Sequence, residues 1–410
     1  MKFMWFHLMP YKELEENFRE NNSGVSVDVD IRHFNAAKAH RMYNEFIDEM
    51  EYAASLGFDA ICVNEHHQQA YGMMPSPNLI ASALARSTSD AAICVMGNSL
   101  ALYNPPVRVA EEMAMIDCIS GGRLIAGFPV GTPMDTVWAY SQDPSKLRER
   151  YFEAHDLIIR AWTEKEPFAF NGRFNQMRYV NPWPRPLQAR PPIWVPGGGS
   201  AETWHWCAEN DYVFCHLSYS GHKKARITMD AFWAEMERLG KEKNPYQASF
   251  LQFIGVAESR QQALDLYAEA GEYLYGTCLY HDPRFASAPG YLTEESQRLG
   301  YKSQVQSNAA RQASVSKMNI ETILDNGYMV IGTPEEVTEQ LMQAAKDLHV
   351  GHMMTLLQYG NLNTESTRYN TKLFAEKVMP KLRPLFSEWE DHWWPKPLDR
   401  AHRAVPLAAE

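Results

Sequence analysis

The chain has 410 residues, 39 basic and 50 acidic side chains and a formal net charge of −11. Both signs are spread along it without a basic stripe, so nothing marks a nucleic-acid partner, and acidity of this size bears mainly on solubility. No uninterrupted apolar stretch is long enough to span a bilayer, and the opening MKFMWFHLMPYKELEENF lacks the apolar core and cleavage site of a signal peptide. The expectation is a cytoplasmic protein that does not engage a membrane. The six cysteines include no C-x-x-C pair and sit in apolar segments, which fits reduced, buried thiols and gives no cysteine-based metal site.

The predicted elements alternate. KFMWFHLM (2–9) reads as a strand, and Met42, Phe46, Met50 and Ala53 recur at helical spacing over 38–56. AICVN (60–64) is a strand without polar alternation, as in a sheet covered on both faces. A helix at 77–88 and a strand at 92–102 follow. Pro105 and Pro106 open the helix VRVAEEMAMIDCIS, and RLIAGFPVG (123–131) is the next strand. A long helix covers 146–163, and PFAFNGRFNQMRYV (167–180) is a hairpin turning at Asn171-Gly172. PPIWVPGGG (191–199) runs into a glycine loop and a helix at 201–209. Strands at 212–218, 248–257 and 352–359 alternate with helices at 222–240, 260–276 and 334–348, and a last helix spans 365–382.

Apart from the hairpin this makes eight strands joined by helices. Repeated βα units imply right-handed crossovers and a parallel sheet, and eight of them a closed (β/α)8 TIM barrel. The alternative is an open doubly wound sheet, but no G-x-G-x-x-G follows the first strand. Residues 1–385 form the barrel domain and 386–410 a tail. The stretch 277–330, before the last strand, is too long for a plain connection and reads as a substrate lid. Trp389, Trp393 and Trp394 in the tail are expected against the barrel exterior or a partner subunit.

A barrel of this kind carries its active site at the C-terminal ends of its strands. There the sequence places Glu65-His66-His67, Asn98-Ser99, Pro129-Val130-Gly131, Gly197 to Ser200, His216 with Ser218, and Gln358-Tyr359. In GGGSAETW (197–204) glycines permit close backbone approach, and Ser200 and Thr203 add hydroxyls at a helix N-terminus, a pattern suited to phosphate. Ser200 as a simple N-cap is the plain alternative. Adjacent histidines on an extended stretch point opposite ways and no metal-ligand spacing accompanies them, so one histidine facing the pocket as acid/base is expected and a metal is not.

NEHHQQAYG, PPVRVAEEMAMIDCISGGRLIAGFPVG, PPIWVPGGGSAET and VIGTPEEVTEQL with HMMTLLQYGNL and LFAEKVMPKLR occur in this order. Together they resemble the bacterial luciferase-like flavin-dependent monooxygenases over most of residues 1–385. The resemblance implies a reduced FMN (FMNH2) at the C-terminal rim, with His66 as the catalytic histidine. It implies Asn98 and Ser99 beside the flavin ring, often at a non-prolyl cis peptide. It implies Gly198, Gly199, Ser200 and Thr203 around the phosphate, and Tyr151 is a further candidate hydrogen-bond donor to the cofactor. The family's arginine after the fourth strand is replaced by Val130 here, so that either Arg148 or Arg150 on the next helix compensates or phosphate binding is weaker. The implied activity is that of a two-component monooxygenase. One atom of O2 would pass to a small organic substrate through a flavin C4a-(hydro)peroxide, behind a lid and an apolar wall of Met73, Met74, Trp138 and Tyr140. A separate flavin reductase and a homodimer go with it. A deazaflavin-dependent oxidoreductase of the same fold and a non-catalytic flavin-binding subunit are the alternatives.

Overall fold

The computed structural model describes residues 1–15, 17–217, 219–292 and 318–404. Its strands are β1 (Lys2–Phe6), β2 (Ala60–Val63), β3 (Ala92–Val95), β4 (Leu124–Gly127), β5 (Phe168–Asn171), β6 (Gln176–Val180), β7 (Ile193–Gly197), β8 (Val213–His216), β9 (Ala248–Val256), β10 (Met329–Gly332) and β11 (His352–Leu356). The parallel order β11-β1-β2-β3-β4-β7-β8-β9 returns to β11, closing an eight-stranded barrel around which the helices pack. The expected barrel is therefore present, with the antiparallel hairpin β5–β6 standing outside it.

The strands are apolar on both faces because both are covered. Met4, Phe6, Cys62, Cys94, Trp194, Leu251 and Met354 fill the interior. Their alternates Phe3, Trp5, Ile61, Ile93, Phe250 and Met353 meet the helix layer. Cys62 stands opposite Cys94 in register, and all six cysteines are free.

One strand was not anticipated. β10 lies beside the C-terminal half of the nine-residue β9, with Met329 opposite Phe253. It takes up the last residues assigned to the lid. Residues 293–317 of the expected lid lie outside the described residues.

The tail crosses the N-terminal end of the barrel. Asp391 joins Lys2 at 2.7 Å and His352 at 2.9 Å, at the starts of β1 and β11. Arg383 reaches both oxygens of Asp59 at 3.0 Å, just before β2. Trp394 stacks on His352 with ring centres 5.6 Å apart, and the indole of buried Trp194 donates to the Trp393 carbonyl at 3.3 Å. Among the described residues no helix is long and apolar enough to cross a membrane.

Candidate active site

The C-terminal rim is built from short connections. Gly97 lets the segment after β3 approach the one after β2, since a Cβ there would lie 2.6 Å from the Glu65 nitrogen. Gly131, at φ +93°, turns the segment after β4 back over Ser99. A single wide helical turn, Met134–Ala139, then carries Asp135 over the β2 loop.

The two histidines separate as an extended backbone requires. His67 is buried, and its Nε2 lies 2.7 Å from Glu65 Oε1. The other Glu65 oxygen accepts from the Ser99 amide at 2.9 Å and the Tyr103 hydroxyl at 3.2 Å, and Tyr103 in turn accepts from Asn98 Nδ2 at 2.8 Å. This network ties the ends of β2 and β3 together and holds His67 at Nε2. Burial pushes the Tyr103 hydroxyl far up, with the Glu65 charge adding to the effect, so the phenol stays a donor.

His66 is placed differently. Its side chain is 16% exposed, and its Nδ1 lies 3.0 Å from Asp135 Oδ2. Tyr71 meets the ring edge-on at 4.8 Å, and Gly72 passes so close that a Cβ would lie 3.3 Å from His66 Cδ2. Among the described residues Nε2 has no partner. Asp135 is 2% exposed and also accepts from the His67 amide at 2.7 Å, Gln69 Nε2 at 2.7 Å and Thr132 Oγ1 at 2.8 Å. Burial alone would raise its pKa; the His66 ring and these donors outweigh it and hold the carboxyl below the usual carboxylate range.

Amide groups near the C-terminal ends of the strands lack partners among the described residues. Asn64 Oδ1, Asn98 Oδ1 and both amide atoms of Gln358 are buried and unbonded within the protein. Leaving such groups unpaired costs about 1–3 kcal/mol each, so a mouth that keeps them suits a polar ligand. His216, at the end of β8, lies outside this set. It shares the face of Phe214, toward the helix layer; both ring nitrogens are buried without a partner among the described residues, and burial lowers its pKa to about 4. Ser218 is outside the described residues.

The glycine turn follows β7. Gly199 sits at φ +100° and has no room for a side chain, because a Cβ would meet Thr228 at 2.5 Å. At Gly198 a Cβ would meet nothing within 4 Å, so this face of the turn is open. Ser200 caps the helix Ala201–Asn210, accepting from the Thr203 amide at 3.4 Å with the two hydroxyls 2.9 Å apart. That helix packs beside Leu147–Thr163 through Trp206, which meets Tyr151 and Phe152 at 5.4 and 5.5 Å. The contact runs from the second half of Ala201–Asn210 to the first turns of Leu147–Thr163. Arg148 and Arg150 lie in the first turn of Leu147–Thr163, each with a buried Nε that has no partner among the described residues.

The expected site residues divide accordingly. His66, Asn98, Ser99, Gly198, Gly199, Ser200 and Thr203 all lie on the C-terminal rim. Tyr151 is fully buried, and its hydroxyl donates at 2.6 Å to the carbonyl of Phe128, the residue that follows β4. The non-prolyl cis peptide that often accompanies the family's segment after the third strand does not occur here. The two cis bonds among the described residues are Asn104–Pro105 and Trp183–Pro184, and Ser99 instead donates its amide to Glu65. Asp135 and Tyr103 belong to the site and were not among the candidates. No group of three metal-ligating side chains occurs among the described residues.

The sequence profile described as luciferase-like monooxygenase matches residues 25–350. The chain is 22% identical over 367 residues to 2,5-diketocamphane 1,2-monooxygenase 1 of Pseudomonas putida, covering 84% of this chain and 95% of that one. A 165-residue stretch, 38% of this chain and 43% of the relative, is 32% identical to the oxygenase component of flavin-dependent trigonelline monooxygenase from Acinetobacter baylyi. Among solved structures, the oxygenating constituent of 3,6-diketocamphane monooxygenase from Pseudomonas putida, in complex with FMN, superposes with a TM-score of 0.69 at 17% identity. That superposition covers 93% of this chain and 99% of the other, and at this identity shows the fold alone. With a match over most of its length and the barrel to accompany it, this chain belongs to the luciferase-like monooxygenase family.

Proposed function

We propose that the protein is the oxygenase of a two-component system. It would use reduced FMN from a separate reductase and place one atom of O2 into a small organic substrate. The observation that carries this reading is His66: a ring fixed at one nitrogen by Asp135 and open at the other, on the same rim as the glycine turn. Gly198, Ser200 and Thr203, with the amides of the helix they open, would hold the phosphate. Asn98, Ser99 and Gln358 would meet the flat ring. Reduced flavin, when bound, supplies the activation of dioxygen, and the protein orients and shields it. His66 would hold or release a proton at Nε2 next to the reacting atoms. Met73 and Met74, both buried, would keep water from the apolar side.

The relative named an oxygenase component supports a separate reductase. Exposed Leu79, Met115 and Ile119 on the neighbouring helices Pro77–Ser87 and Val107–Ser120 offer an apolar face for a second copy of the chain. Val130, where the family carries arginine, favours one second reading, a deazaflavin in place of FMN.

Anaerobic titration with reduced FMN and with a reduced deazaflavin separates the two. Tight binding of reduced FMN, followed on admitting oxygen by slower recovery of the oxidised-flavin absorbance than in free solution, is the expected result. Preference for the deazaflavin would move the reading to hydride transfer, and binding of neither would reject both. In the FMN system His66→Ala should keep the fold by circular dichroism and lower product formed per flavin oxidised by about 10²-fold or more. Wild-type yield in that variant would remove His66 from the reaction.

A further inference from the structure

The carboxylate of Asp135 is divided between two tasks, and the division is legible atom by atom. Oδ1 accepts from the His67 amide and from Gln69 Nε2, both at 2.7 Å. These two bonds staple the turn Met134–Ala139 to the segment after β2. Oδ2 accepts from Thr132 Oγ1 at 2.8 Å and faces His66 Nδ1 at 3.0 Å. A carboxylate here only accepts, so the His66 proton on that side belongs to Nδ1. Tyr71 meets the ring edge-on at 4.8 Å, and the Gly72 backbone passes beside it.

We infer that Asp135 is a positioning residue that fixes His66 in the Nδ1–H tautomer, so that Nε2 is the nitrogen presented bare to the barrel mouth. The inference rests on the reading of His66 as the acid/base group, but concerns a property of the ring that exists without any cofactor. It gives the histidine a direction: it can accept a proton at Nε2, with the Asp135 charge 3.0 Å behind it to stabilise the resulting cation. His67, one residue on, has its own carboxylate in Glu65 but is buried and spent on the rim network. The two histidine–carboxylate pairs are thus not equivalent: the His66 side chain is 16% exposed and that of His67 4%.

Asp135→Asn separates the tasks. Its amide oxygen can keep the staple at the Oδ1 position while its NH2 takes the Oδ2 position opposite His66. The ring must then accept at Nδ1 and carry its proton on Nε2. The experiment is a two-bond proton–nitrogen correlation spectrum of the full chain labelled with 15N-histidine, recorded at neutral pH without flavin. The His66 signals are assigned by their loss in His66→Gln. The wild-type spectrum should show His66 protonated at Nδ1. Asp135→Asn should move the proton to Nε2 and lower turnover by about 10²-fold or more with little change in KM. Gln69→Leu, which weakens only the staple, should lower stability and leave the tautomer as in wild type.

A wild-type His66 protonated at Nε2 overturns the inference, and needs no variant to do so. An unchanged tautomer in folded Asp135→Asn overturns it as well and leaves Asp135 a loop staple. Because these spectra contain no flavin, a failed titration with FMN would reject the proposed activity without touching this result.

Discussion

At the N-terminal end of the barrel Lys2, Asp59, Arg383 and Asp391 meet opposite charges at 2.7–3.0 Å, and tryptophans of the tail cover the strand starts. At the C-terminal end the carbonyl oxygens of Asn64 and Asn98 and the whole amide of Gln358 are buried without partners among the described residues. Glycines there are forced into close approach or positive φ at Gly97, Gly131 and Gly199. Ion pairs and tail tryptophans thus gather at one end of the sheet and unpaired carboxamides at the other, where a (β/α)8 barrel carries its site, although His352 Nδ1 and Ser249 Oγ are also buried without partners among the described residues at the first. What this teaches is where a substitution should be felt: stability without ligand at one end, ligand and chemistry with smaller stability changes at the other.

The most severe way to break that division is Trp194→Ala. The ring is fully buried in the barrel interior near its N-terminal end, beside Trp394 and His352. Truncation should cost about 3–5 kcal/mol by denaturant unfolding. FMN affinity of the fraction that remains folded should stay at the wild-type value. A loss of affinity in proportion to the loss of stability would show that the two ends are one cooperative device.

Asp391→Asn tests the same end through charge. Burial works to raise this carboxyl, but His352 and Lys2 prevail and hold it at about 2, against an ordinary value of 3.8. A depressed folded-state pKa stabilises the protein above the unfolded value and is lost as pH falls through the folded one. The variant should be less stable than wild type by ~2 kcal/mol at neutral pH. The gap should narrow between about pH 4 and pH 2, read from unfolding midpoints. A gap independent of pH would mean that packing of the tail, not the ion pairs, is what the carboxylate secures.

The same contrast explains what could be read from the sequence. Glu65, His66, Asn98 and the turn Gly198–Ser200 stand out because polar or glycine residues interrupt apolar strand patterns where the strands end. Asp135 has no such signature: GTPMDTVWAY follows neither strand nor helix spacing, and its partner is 69 residues earlier. Only the fold brings them together. Tyr151 was placed at the pocket by its nearness to the helix start. The helical spacing of buried Leu147, Tyr151, Ala154 and Ile158 puts it on the core face. β10 escaped notice because four residues next to an irregular segment carry no periodicity of their own. The tail was legible as tryptophan-rich, but not as the cover of the barrel's closed end, since Lys2, Asp59 and His352 are scattered along the chain.

The smallest expected effect on stability, Ser200→Ala, sharpens the comparison most. Ser200 is an N-cap whatever else it does, so removing its hydroxyl should cost ~1 kcal/mol through the Thr203 amide. A cap alone would make FMN and riboflavin bind equally well to the variant as they do to wild type, apart from that loss. If the turn also holds the phosphate, as Gly198 with its open side allows, FMN loses a hydroxyl donor and riboflavin does not. The ratio of their affinities, measured by flavin fluorescence at fixed ionic strength, should then fall several-fold in the variant while riboflavin binding stays put. An unchanged ratio would assign Ser200 to the helix alone and move the search for the anion's partners to Arg148 and Arg150, whose guanidinium Nε atoms, on the adjoining helix, have no partner among the described residues.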